Sequence, residues 1–159
     1  RLAAGLSRQG LVRAPSLGIY RLAMKFRVDA NILSEPTKPQ PSPAVVEWLR
    51  ANEAELAVNP IVLGELEYGI LLLPAGRRRT RLQHWFAEGI RRIQVLEFDT
   101  ATASAWASLL ARLKKNGLAM PIKDSQIAAT ALLHNLIVAT RNVADYRNAN
   151  VSVVNPFSG

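Results

Sequence analysis

The stretch Met24-Lys25-Phe26-Arg27-Val28-Asp29-Ala30-Asn31-Ile32-Leu33-Ser34 decides how this chain is read. A short β-like run rises to Val28 and stops at an acid. A carboxylate at the end of a buried strand needs a reason, and a local one exists: Asp-Ala-Asn has the composition of a cap for a helix beginning near Ile32. A second reason comes from acids further along. Glu65 sits inside an apolar segment, Asp124 opens another, and Asn142 and Asp145 follow a third. In an open α/β sheet the functional crevice lies beyond the carboxyl ends of the strands, so acids delivered there by separate units converge. The expectation is a metal-binding carboxylate cluster.

With 159 residues, 49% of them hydrophobic, the chain suits one domain with a sizeable core. It contains no cysteine, which excludes disulfides, thiolate zinc sites and cysteine nucleophiles and suits a reducing cytoplasm. Two histidines, His84 and His134, leave little for a histidine-rich metal site or a triad. Oxygen ligands remain, and they favour hard cations such as Mg²⁺ or Mn²⁺. The formal charge of +8 is consistent with a polyanionic partner, although it speaks to association and not to a site. Four of the 20 basic residues, Arg1, Arg8, Arg13 and Arg21, lie in the acid-free first 23 positions, and the remainder carries +4.

Residues 1–23 are expected to be an extension outside the fold, disordered or preceding the native start. They lack the long apolar run of a secretory signal or membrane span and have the composition of a transit peptide, while Met24 fits an upstream-extended reading frame. Residues 24–159 form the expected domain. Asn31 to Glu35 suggests a short helix ended near Pro36, and Ser42 with Pro43 suggests a capped helix running to about Ala51. Leu56 to Val58 is a strand, and Ile61 to Leu73 a helix in which Glu65 shares a stripe with Ile61, Tyr68 and Leu72. A carboxylate on an apolar face needs a cation or hydrogen-bond partners, and a salt bridge would serve as well as a metal. The run Gly76-Arg77-Arg78-Arg79-Thr80-Arg81 opens a helix to about Gly89, its charges either solvated or set against phosphates. Gln94 to Phe98 is a strand, and Thr100 caps a helix from Ala101 to about Lys115. Trp48, Trp85 and Trp106 read as core. Asp124 lies at the opening turn of a small-residue helix, where favourable interaction with the helix dipole of about 0.3–1 kcal/mol is a sufficient local reason for it. Leu136 to Thr140 and Val151 to Val154 are the last strands.

Taken together, four segments resemble the PIN-domain ribonucleases, and within them the VapC and FitB-like toxins of bacterial toxin-antitoxin pairs. They are Asp29-Ala30-Asn31-Ile32-Leu33-Ser34-Glu35, Gly64-Glu65-Leu66 with Tyr68-Gly69, Asp124 with Ile127-Ala128-Ala129-Thr130-Ala131, and Thr140-Arg141-Asn142 with Asp145-Tyr146. The closing Asn155-Pro156-Phe157 is similar too, and the resemblance spans nearly all of residues 24–157.

The resemblance implies a Rossmann-like α/β/α sandwich with a central, mainly parallel sheet of four to five strands. It implies a metal-dependent endoribonuclease whose Mg²⁺ or Mn²⁺ is held by Asp29, Glu65 and Asp124. The fourth position aligns with neutral Asn142 or with Asp145; Asp145 is preferred for charge, Asn142 for a water or substrate contact alongside Asn31 and Thr140. Ala30 stands where a hydroxyl residue is usual, which removes one hydrogen bond near the metal. The implied partners are RNA, a small DNA-binding antitoxin, and a second copy in a homodimer, or a hetero-oligomer with the antitoxin, with no membrane. Competing readings are a catalytically silent PIN-like binding module, a phosphohydrolase using an acid as nucleophile, and a DNA nuclease.

Overall fold

Strand β3 (Phe26–Val28) is the middle of the main sheet in the computed structural model, which describes residues 11–13 and 20–158. Its neighbours are β4 (Leu56–Val58) on one side and β6 (Ile137–Ala139) on the other. The edges are β5 (Gln94–Val95) and β7 (Val153–Val154), giving five strands in the order β5-β4-β3-β6-β7. Every pairing in this sheet is parallel, with Val28 opposite Ala139 and Arg27 opposite Ala57 and Val138.

The helices are α1 (Ala30–Leu33), α2 (Pro43–Asn52), α3 (Pro60–Leu71), α4 (Arg77–Glu88), α5 (Thr100–Lys115) and α6 (Ile122–His134). The chain steps from β3 to β4 to β5 in one direction, then returns across the sheet to β6 and β7. Right-handed crossovers then put α1 to α4 on one face and α5 and α6 on the other, completing the expected α/β/α sandwich. The reversal of strand order falls between β3 and β6, the place where open α/β sheets build their sites. The core is continuous across the sheet, from Val28, Val58 and Val138 to Val45, Val62, Phe86, Leu109 and Ile127.

The sheet is buried, so its strands read as short unbroken apolar runs bounded by caps. Asn59 closes β4 and caps α3: its side chain accepts from Val62 N at 3.2 Å while fully buried. Asn59→Ala should therefore cost ~1 kcal/mol, read as a lower urea midpoint with an unchanged slope.

Several expected boundaries move. The cap of α5 is Asp99, which accepts from Thr102 N at 2.9 Å, and Thr100 is already helical. Ser42 stands at the N-cap of α2 without a capping side-chain bond; instead its backbone N–H donates to Glu35 Oε1 at 2.9 Å, tying the two ends of the proline-rich connection. Strand β5 is two residues long, because the chain turns away after Leu96 N bonds Val58 O.

Most of the expected N-terminal extension lies outside the described residues. Of its described part, β1 (Leu11–Arg13) and β2 (Tyr20–Leu22) pair antiparallel in a two-stranded sheet separate from the five-stranded one. Among the described residues no helix is long and apolar enough to cross a membrane.

Candidate active site

Asp29 follows the last residue of β3 and is 7% exposed. Both of its carboxylate oxygens are held. Oδ1 accepts from Ala30 N at 2.8 Å, which makes Asp29 the N-cap of α1, and Oδ2 accepts from the Thr140 hydroxyl at 2.9 Å. The cap reading and the site reading thus describe one side chain. Thr140 follows β6 across the strand-order reversal and is fully buried. Having donated to Asp29, its oxygen accepts from Asn31 Nδ2 at 3.3 Å and Asn142 N at 3.1 Å, and Asn31 Oδ1 accepts from Arg141 N at 3.1 Å. A satisfied polar network of this kind fixes orientation, because no member can rotate without leaving a buried partner unpaired. Ala30 contributes its backbone N–H and Thr140 the hydroxyl, so Asp29 is held although Ala30 has no side-chain donor. Thr140→Val keeps the shape and removes the donor. Where Asp29 serves as a metal ligand, loss of the group that orients it should lower activity about 10- to 100-fold with unchanged circular dichroism.

Asp124 is the third residue of α6 and half-buried. Burial raises its pKa, and the charges of Asp29, Asp145 and Glu65 raise it further. Acids from three other segments therefore act on Asp124. Asp145 is exposed in the turn Val143–Tyr146, and its charge reaches Asp124, whereas Asn142 enters the network through its backbone N–H. The N-terminal turn of α6 is fixed by Trp106, whose Nε1 donates to the buried Ser125 hydroxyl at 2.8 Å, while that hydroxyl donates to Ile122 O at 2.6 Å.

Glu65 corrects one expectation. The buried face of α3 is Val62, Leu66 and Ile70, and the stripe containing Glu65 faces outward, with Tyr68 64% and Leu72 66% exposed. Nearly every residue of α3 is apolar, so two stripes look alike in sequence and periodicity does not choose between them. The partner of Glu65 is Lys123, whose ammonium hydrogen-bonds Oε1 and whose pKa rises through that bond. The expected alternative of a salt bridge is thus present. Among the described residues no three His, Asp or Glu side chains gather into a ready-made metal cage. Like charges without an intervening cation hold apart, and Lys123 occupies Glu65. The donor set, carboxylates without nitrogen or sulfur, fits a hard divalent cation bound partly through water.

Sequence reasoning missed three groups. Lys123 has the look of a solvated helix lysine. Tyr146 is fully buried with its hydroxyl 3.5 Å from Asp124 Oδ1, a long contact; burial pushes its phenol up, with Asp29 and Asp124 adding to the effect. Arg27 is fully buried in β3, and burial lowers its pKa to about 10. The available signal was a charge inside an apolar strand two residues before an acid. Trp48 and Trp85 pack half-buried against the core, Trp48 edge-on to Phe26 at 4.9 Å. The more exposed apolar positions are Tyr68, Leu71 and Leu72 on α3 and its C-cap, and Ile122 at the start of α6.

A model of the PIN domain matches residues 27–150. The VapC ribonuclease Y4jK of Sinorhizobium fredii is 34% identical over 82% of this chain and 96% of its own length. The toxin FitB of Neisseria gonorrhoeae is also 34% identical, with the same coverage. The crystal structure of FitAcB from Neisseria gonorrhoeae superposes with a TM-score of 0.77 over 83% of this chain and 98% of that one, at 34% identity.

Proposed function

This chain belongs to the PIN-domain family, and from that membership we propose that it is a VapC/FitB-like toxin, a metal-dependent endoribonuclease neutralised by a cognate antitoxin. The observation that carries the reading is Asp29, held on both oxygens at the strand-order reversal, with its charge reaching Asp124. Asp29, Glu65, Asp124 and Asp145 are the residues that would hold Mg²⁺ or Mn²⁺. When bound, such an ion polarises a phosphoryl oxygen and lowers the pKa of water at neutral pH. The chain's own contribution is placement. Thr140 and Ala30 aim Asp29, Trp106 and Ser125 fix the turn carrying Asp124, and Lys123 neutralises Glu65 in the metal-free protein. A cytoplasmic setting and a homodimer complete the proposal, and the exposed Tyr68, Leu71 and Leu72 offer apolar surface for protein partners.

Purified protein incubated with a panel of structured RNAs, and with DNA of the same sequences, tests the reaction class. Cleavage of RNA with Mg²⁺ or Mn²⁺ and none with chelator is the expected result. RNA bound and returned intact under every metal condition would favour the silent-module reading.

A further inference from the structure

Arg27 is a charged side chain in the central strand of the sheet, fully buried. Its Nη1 donates to Val28 O at 2.6 Å, while Nε and Nη2 have no hydrogen-bond partner. Among the described residues it forms no ion pair within contact distance. An arginine in this state is costly, and cores tolerate one only where negative charge nearby compensates it. The compensating charges belong to the candidate site: the carboxylates of Asp29 and Glu65 act on the guanidinium. Strand alternation puts Arg27 and Asp29 on the same side of β3, and Tyr146 in turn reaches Asp124. Lys123 neutralises the acids from the solvent side by direct contact with Glu65; Arg27 does so from inside, at a position it cannot leave.

We propose that Arg27 is a positioning residue, a fixed internal counter-charge beside the acids of the site that weakens their attraction for divalent cations. The inference rests on the metal-site reading above. A permanent positive charge close to the carboxylates repels an incoming cation through the low-dielectric interior, where screening by salt is weak. It also offsets part of the mutual repulsion that metal would otherwise have to relieve. The site therefore releases metal more readily than its four acids alone would allow.

The test is Mn²⁺ binding by calorimetry and by the metal-induced shift in Tm, with wild type, Arg27→Met, Arg27→Gln, Arg27→Lys and Asp29→Asn side by side. The expected result is roughly tenfold tighter Mn²⁺ binding and a larger metal-induced Tm shift in the Met and Gln variants, with Arg27→Lys close to wild type. Mn²⁺ affinity in a folded Met or Gln variant equal to or weaker than wild type overturns the inference and leaves the metal site standing. So does Arg27→Lys binding as tightly as the neutral variants, since shape and not charge would then be responsible. If neither neutral variant folds, the fold itself requires the charge and the inference of a metal-tuning role is overturned. Wild type that binds no Mn²⁺, or binds it no better than Asp29→Asn, overturns the site reading and this inference with it.

Discussion

Asp29→Asn should reduce metal-dependent RNA cleavage by about 100- to 1,000-fold or more, as expected when a preorganised charged group at a reacting centre is lost. The substitution is nearly isosteric, so the packing around the side chain is kept. The side-chain oxygen can still accept from one neighbour, Ala30 N or the Thr140 hydroxyl, so a single hydrogen bond of the network is lost. What disappears is the negative charge at the end of the central strand. The variant should consequently fold with unchanged circular dichroism and lose Mn²⁺ affinity. Cleavage at the wild-type rate would show that Asp29 only caps α1.

Asp124→Asn should separate activity from stability. Asp124 is half-buried, and burial first, then Asp29, Asp145 and Glu65, raise its pKa above the ordinary 3.8. In the metal-free protein the folded state therefore holds this proton more tightly than the unfolded state does. Stability is fully present below pH of about 3.8 and declines as pH rises through the elevated folded value. At neutral pH the ionised group is a net liability that only a cation relieves. Asp124→Asn removes it, so the metal-free variant should have a higher Tm than wild type at pH 7, with the difference vanishing towards pH 3. Cleavage should fall at least 100-fold, and added Mn²⁺ should raise Tm less than in wild type. Tm values that coincide across this pH range would mean that the acids do not share one field.

Much of this arrangement was legible in the chain before the fold was known. Buried parallel strands announce themselves as short apolar runs, so β3, β4 and β6 were found within a residue or two of their ends, and Asp29 was found because it interrupts one. Proline and asparagine fixed the start of α3, and Asn116-Gly117 marked the end of α5. That Asp29, Asp145 and Glu65 all act on Asp124 agrees with the topological expectation that acids from separate units meet beyond the carboxyl ends of the strands, while the four positions themselves came from the family resemblance.

What escaped the sequence depends on choices made in three dimensions. Helix α3 has more apolar surface than one neighbour can cover, so the inward face was settled by packing of Val62, Leu66 and Ile70, and Glu65 moved to the rim. Asp99 and Thr100 are both good caps, and one position of register decides which serves. Lys123 and Arg27 gave no periodic signal because each is explained by charge across the fold. Lys123 meets Glu65 58 residues away in sequence, and Arg27 answers acids on other elements.

The most direct test is RNA cleavage by nuclease-free preparations of wild type and an Asp29→Asn, Asp124→Asn double variant, each with Mn²⁺ and with chelator. Cleavage by wild type with Mn²⁺ alone, and by the double variant under neither condition, is the predicted result. Cleavage that persists in the double variant, or in wild type with chelator, would contradict a carboxylate-held metal as the seat of the reaction.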